Sequence, residues 1–207
     1  MEVYNSGNEQ KYLSKNILKQ FMITRFLSKL LNVVQVCSQK LLTKTILDVG
    51  CGEGFVANYL YDHVEGLQIT AVDYFEEAVL KAQKSNPRKI CFNQGDIYHL
   101  ACENQAFQIV MATEVLEHLE HPKEALAELV RVAQKYVIVS VPNEPFFCLG
   151  NLLSGKNICR LGNPIDHINH WTYYGFEKFI RQNTKDVQIK KYNLWVWTLV
   201  VIEKNVA

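Results

Sequence analysis

Three stretches of this 207-residue chain carry side chains whose types and spacing suit chemistry. The first is ILDVGCGEGF, residues 46–55: Gly50, Gly52 and Gly54 follow a short apolar run, and Asp48 stands two residues ahead of the first glycine. Bare backbone lets a ligand approach closely, and Gly-rich turns before a helix commonly cradle phosphates. A pyrophosphate over these glycines would be repelled by Asp48 and Glu53. A cationic ammonium would instead gain charge-assisted bonds from nearby acidic or carbonyl oxygens. The spacing is also G-x-G-x-G and not the G-x-G-x-x-G of a dinucleotide fingerprint. Asp73, at the end of the next apolar run, is placed to accept hydrogen bonds from both hydroxyls of a ribose. The turn therefore favours a positively charged amino-acid nucleoside. The plainer alternative is a structural turn with no ligand.

The second stretch is EVLEHLEHP, with Glu114, Glu117 and His118. On a helical turn these three positions share one face. Two carboxylates and an imidazole could hold a divalent cation. The third is the long segment 142–174, rich in aromatics, Gly and Asn, which holds His167 and His170. An imidazole titrates near neutral pH, which suits removing a proton from a hydroxyl. Phe146, Phe147, Trp171, Tyr173 and Tyr174 could wall an apolar pocket. The bland alternative is that these aromatics pack the core and both histidines are satisfied polar residues.

These groups must be positioned by regular elements. Apolar, β-branched runs at 44–50, 67–73, 89–94, 107–113 and 135–141 predict strands covered on both faces. Helical patterns at 54–63, 75–85 and 122–134 lie between them, the last opened by Pro122 at a first helical turn. A helix over 175–183 and a hairpin of 186–192 with 195–202 close the chain. Alternating strands and helices predict an α/β fold with a doubly wound, mostly parallel sheet, whose ligands sit at the carboxyl ends of the strands.

Composition narrows the class. With 48% apolar and 21% charged residues, the chain reads as a soluble globular protein of one domain over 1–207. A net charge of +1 lacks the basic footprint expected for nucleic acid. Charge is uneven: residues 1–44 hold seven Lys/Arg against two Glu, +5, which leaves −4 for the rest. Six scattered cysteines without a CxxC pair read as reduced thiols in a cytoplasmic protein. The polar start MEVYNSGNEQ does not open a signal peptide, and no run predicts a membrane span.

LDVGCGEG, AVD, GD and EVLEHL, in this order and spacing, resemble a class I S-adenosylmethionine-dependent methyltransferase, a Rossmann-like fold, of the small-molecule type that includes ubiquinone-pathway O-methyltransferases. The resemblance covers about 44–141 and continues more loosely to the final hairpin, which resembles the family's antiparallel last strand. It implies a seven-stranded sheet and S-adenosylmethionine as cofactor. It assigns Asp48, Gly50, Gly52 and Gly54 to the methionine part, Asp73 to the ribose, and Tyr74, Asp96 and Ile97 to the adenine. Thr113 and Glu114 fall near the amino-acid part.

The implied function is methyl transfer to a small molecule, oxygen favoured, with His118, His167 or His170 as base. Some relatives use E-x-x-E-H with a metal. In many others EVLEHL is the ordinary wording of a metal-free segment, and no metal is assigned. DHINHW is similar to the downstream histidine of RNA 2′-O-methyltransferases, so metal-assisted methylation of RNA is an alternative. A non-catalytic binding module of the same fold is another.

Residues 1–43 are expected to contribute a lid helix, patterned over 13–36, with a membrane or partner surface as the competing role. Tyr12 or Lys15 would reach the cofactor carboxylate. Residues 142–174 are expected to form a substrate lid, and 175–207 the closing helix and hairpin. The acceptor and the oligomeric state are not readable.

Overall fold

The computed structural model describes residues 16–86, 88–153 and 157–205. The first helix, α1, runs Ile17–Ser38, so the expected start at residue 13, like Tyr12 and Lys15, lies outside the described residues. Asn16 caps it, its side chain accepting from the Lys19 amide. There follow β1 (Thr45–Val49), α2 (Phe55–His63), β2 (Gln68–Asp73), α3 (Glu76–Lys84), β3 (Cys91–Gln94) and β4 (Phe107–Thr113). A short 3₁₀ turn, Leu116–His118, leads to α4 (Pro122–Val132) and β5 (Ala133–Pro142). The chain closes with α5 (Glu144–Leu153), a 3₁₀ turn at Ile158–Arg160, α6 (Tyr173–Asn183), β6 (Val187–Asn193) and β7 (Trp197–Lys204).

The seven strands form one sheet in the order β3-β2-β1-β4-β5-β7-β6. β1 to β5 pair in parallel, whereas β7 runs antiparallel between β5 and β6. This is the doubly wound sheet the sequence predicts, with the hairpin supplying the antiparallel edge. The parallel strands read as continuous apolar runs because both faces are covered. One face packs Ile46, Met111, Ile138 and Leu199 under α1 and α2. The other packs Leu47, Val110, Val139 and Val200 under α4 and α6.

Strand order reverses between β1 and β4, so the chain leaves these neighbours in opposite directions and a crevice opens at their carboxyl ends. Register places Asp48 opposite Met111, and Thr113 opposite Ser140, along that edge. The fold thus brings the glycine turn and the start of EVLEHL to one place.

Several boundaries differ from expectation by one or two residues. β5 begins at Ala133, two residues early, because Ala133 is already extended (φ −74°, ψ 131°) while its amide still closes the last turn of α4 on Leu129. Segment 142–174 holds helix α5 and a 3₁₀ turn, so it is not a plain loop.

α1 belongs to the core: Phe26, Leu30 and Val34 are buried, and the Phe26 ring lies 5.2 Å from that of Trp197. Phe26→Ala should cost about 3–5 kcal/mol. Thermal denaturation would then show Tm falling by roughly 10 °C. An unchanged Tm would mean that α1 does not brace the sheet.

Candidate functional site

The glycine turn is held from behind by β2. The amides of Gly50 and Cys51 donate to Val72 O at 2.8 and 3.1 Å. Gly52 N donates to Asp73 Oδ2 at 2.6 Å, and Phe75 N to Asp73 Oδ1 at 3.0 Å. Gly50 has φ +74°, and a Cβ there would lie 2.4 Å from Val115 Cγ2. Both handedness and space therefore demand glycine. At Gly54, φ +80°, a Cβ would press on the Phe92 ring at 2.7 Å.

In front of the turn is a small recess of about 40 Å³, lined by Asp48, Gly50, Glu53, Thr113 and Glu114 among others. Asp48 is 1% exposed, and neither carboxylate oxygen has a hydrogen-bond partner among the described residues. Burial, with the nearby Asp73 charge as a smaller cause, pushes its carboxyl up to about 7. Asp73 is also raised by burial, offset in part by amides of Phe75, Gly52 and Tyr74. Cys51, in the same turn, is pushed well above the ordinary thiol value by burial and by Asp48 and Asp73. It is no nucleophile at neutral pH.

The remaining cofactor-assigned residues sit along the same edge. Tyr74 is exposed, its ring edge-on to Phe75 at 5.5 Å. Gly95 N donates to Asp73 O at 2.9 Å, which ties the GD segment to the end of β2. Asp96 accepts from Tyr98 N at 2.9 Å, and Ile97 is buried.

EVLEHL does not form the helical turn expected of it. Glu114 has φ +58°, its amide bonding Ser140 O at 2.9 Å, and only Leu116–His118 are helical, in a 3₁₀ turn. Glu114 therefore faces the recess beside Asp48 and does not share a face with Glu117 and His118. His167 takes its place: ligand-capable atoms of Glu117, His118 and His167 all lie within 4.8 Å of one another. The joining is done by backbone. Ile168 N and Asn169 N both donate to Glu117 O at 3.0 Å, and Asn169 Nδ2 reaches Leu119 O at 2.6 Å.

Each imidazole of this cluster is held at Nδ1. His118 Nδ1 lies 2.9 Å from Asp166 O, and His167 Nδ1 lies 3.1 Å from Glu144 Oε1. With Nδ1 donating, Nε2 is the nitrogen left to take a proton or a cation. The two rings meet edge-on at 5.0 Å, and Phe147 stacks on His167 at 5.4 Å. His170 is occupied at both nitrogens, Nδ1 by Glu144 Oε1 at 3.5 Å and Nε2 by Asn163 Nδ2 at 3.2 Å.

Glu144 is the residue the sequence reading missed. Burial acts to raise its carboxyl, but bonds from His167, Cys148 and His170 outweigh that and hold it below the usual range. Its Oε2 accepts from Cys148 Sγ at 2.8 Å. A lone glutamate after a strand carries no signal of a histidine 23 residues away. Of the five aromatics expected to wall a pocket, Trp171 packs in the core against Phe176 and Phe179. Tyr173 and Tyr174 cover Lys191, with its Nζ 4.1 and 4.4 Å from their rings.

This sheet order, with a glycine turn and an acid at the carboxyl ends of adjacent strands, defines the class I methyltransferase fold. Comparison with known proteins agrees: residues 47–139 match the family described as Methyltransferase domain. Over 102 residues the chain is 36% identical to an uncharacterized methyltransferase of Schizosaccharomyces pombe, a match covering 44% of this chain and 37% of that protein. Over 89 residues it is 35% identical to the ubiquinone biosynthesis O-methyltransferase of Rickettsia canadensis, covering 42% and 36%. The matches thus span little more than a third of these curated relatives. Among solved structures, the plantazolicin methyltransferase BpumL in complex with SAH superposes with TM-score 0.71 at 19% identity, covering 95% of this chain and 93% of that one. At that identity the likeness is one of fold. No helix among the described residues is long and apolar enough to cross a membrane.

Proposed function

We propose that the protein transfers a methyl group from S-adenosylmethionine to a hydroxyl oxygen of a small molecule. The observation that carries this is the buried, unpartnered Asp48 carboxylate in a recess floored by bare backbone. A cationic amino-acid nucleoside supplies the partner such a group lacks, and a diphosphate does not. The residues fit: Asp48 and the glycine turn for the ammonium end, Asp73 for the ribose, Tyr74, Asp96 and Ile97 for the adenine, Thr113 and Glu114 beside the amino-acid part. When bound, the cofactor supplies the methyl group as an electrophile on a sulfonium.

The chain's own task is to hold the acceptor in line, which can supply much of the acceleration, and to take its proton. His167 is the base: Glu144 orients Nδ1, Nε2 receives the proton, and the Glu144 carboxylate stabilises the imidazolium that forms. His118 stands beside it and orients the acceptor. His170, engaged at both nitrogens, steadies Glu144. Residues 142–174 serve as the substrate lid.

The test is calorimetric titration with S-adenosylhomocysteine, followed by an acceptor screen that reads its release. Tight binding with no turnover on any hydroxylated acceptor would favour a non-catalytic binding module. A second reading is favoured by the Glu117, His118 and His167 cluster. An imidazole whose Nδ1 is bonded to a carboxylate or carbonyl is the usual arrangement of a metal ligand. Under that reading the three residues hold a divalent cation that binds the acceptor oxygen. Exhaustive EDTA treatment separates the two. Loss of activity, regained with Mg²⁺ or Zn²⁺ and absent in Glu117→Gln, supports the cation, whereas unchanged activity leaves His167 as the base.

A further inference from the structure

A second concavity, of about 500 Å³, lies between α1 and the β6–β7 hairpin, and nothing in the methyl-transfer site uses it. Arg25, Ser28, Lys29 and Asn32 line it from α1, and Tyr192 and Asn193 from the hairpin. Their spacing of three, four and seven residues puts the helix groups on one face. That face flanks the core stripe of Phe26, Leu30 and Val33. No Asp or Glu lines the groove.

Two of its three cations have no acidic partner among the described residues. Lys29 Nζ sits 4.1 Å from the centre of the Tyr192 ring, and the Arg25 guanidinium 5.8 Å from that of Trp195. Neither has a carboxylate within ion-pair distance among the described residues, whereas Lys191, which also lines the groove, is paired with Glu177. Two positive groups thus stand against aromatic faces with hydroxyl and amide groups between them. Part of the +5 excess of residues 1–44 is concentrated there.

The tip of the hairpin is a turn closed by Trp195 N on Asn193 Oδ1 and by Leu194 N on Trp197 O, both at 2.9 Å. Trp195 adopts φ +67°, uncommon for a bulky side chain, and the residue is 65% exposed beside Arg25. Backbone held in this region costs energy and clusters at functional sites. The tip is also tied to the catalytic edge. Asn143, directly after β5, donates its side chain to Trp195 O and its amide to Val196 O, both at 2.9 Å. The next residue is Glu144, which orients His167.

We propose that this groove binds an anionic group, a phosphate or carboxylate, of a small molecule whose flat or apolar body rests on Trp195. Arg25 grips the anion through its planar fork and Lys29 as a point charge, with Ser28, Asn32 and Asn193 completing the bonds. That the anion belongs to the methyl acceptor rests on the methyl-transfer proposal, whereas the groove's preference for an anion does not.

The test uses the full chain labelled with ¹⁵N and titrated with inorganic phosphate, phenyl phosphate, benzoate and phenol. The phosphates and benzoate should shift amides of residues 25–32 and 191–195, phenyl phosphate more tightly than inorganic phosphate, and phenol should shift none. Arg25→Gln with Lys29→Gln should weaken phenyl phosphate by at least about tenfold. Both sites are outside the core, and S-adenosylhomocysteine binding to the double variant should match the wild type. No shift with any of the anions, equal shifts with phenol, or full retention in the double variant would each overturn the proposal. So would perturbation by anionic phosphatidylglycerol vesicles alone, which would make the groove a membrane contact. A normal anion response without homocysteine-nucleoside binding would sink only the acceptor assignment.

Discussion

Asp48→Asn should make the unliganded protein more stable at pH 8 while removing most of its affinity for S-adenosylhomocysteine. Asp48 is buried, has no hydrogen-bond partner among the described residues, and titrates at about 7 in the folded state against an unfolded value of 3.8. The native state thus binds this proton more tightly than the unfolded chain. Its contribution to stability is fully favourable only below about pH 4, declines as pH rises towards 7, and stays at its least favourable above that. Removing the charge should regain about 2–4 kcal/mol at pH 8 and little at pH 4. Thermal melts at both pH values read this directly.

Binding responds in the opposite sense. An ammonium beside Asp48 favours the ionised form, so wild-type affinity should climb as pH passes through 7. The variant should lose this climb and about 10- to 100-fold in affinity. Equal affinity of the two proteins at pH 8 would remove Asp48 from the cofactor site.

His167→Ala should lower kcat by roughly 10²- to 10⁴-fold, the range that a positioned general base contributes. S-adenosylhomocysteine affinity should stay within about twofold, since His167 stands at the Glu117 and His118 cluster and does not line the recess at Asp48. The separation matters, because a collapsed lid would disturb both. Stacking on Phe147 and the Glu144 bond make His167 a packing residue too, so His167→Gln serves as the companion change. It keeps a polar side chain near Glu144 but cannot accept the proton at neutral pH. If His167→Gln turned over at the wild-type rate, the base would have to be sought elsewhere.

Much of the fold could be read from local pattern. Each parallel strand is a short apolar run ending in a turn residue, and both helix capping at Pro122 and the closing hairpin announce themselves in sequence. The glycine turn was readable for the same reason, since φ > 0 and the contact with Val115 leave few other residues possible at Gly50. Its acids, Asp48 and Asp73, stand at strand ends that periodicity already locates.

The cluster of Glu117, His118 and His167 was readable only in parts. His118 and His167 are 49 positions apart and meet because backbone amides of Ile168 and Asn169 bond to Glu117 O. No periodicity encodes such a contact. Glu114 looked like a member because i, i+3, i+4 spacing implies a helix. Its left-handed backbone instead turns the chain by its bond to Ser140 and leaves it at the recess. Glu144 was invisible for want of a local partner.

The most direct test of the central claim is a calorimetric comparison of S-adenosylhomocysteine, NAD and ATP with the wild-type protein at pH 8. The buried carboxylate and bare backbone predict saturable one-to-one binding of S-adenosylhomocysteine and none of either phosphate compound. Uptake of NAD or ATP with no response to S-adenosylhomocysteine would contradict the account at its root.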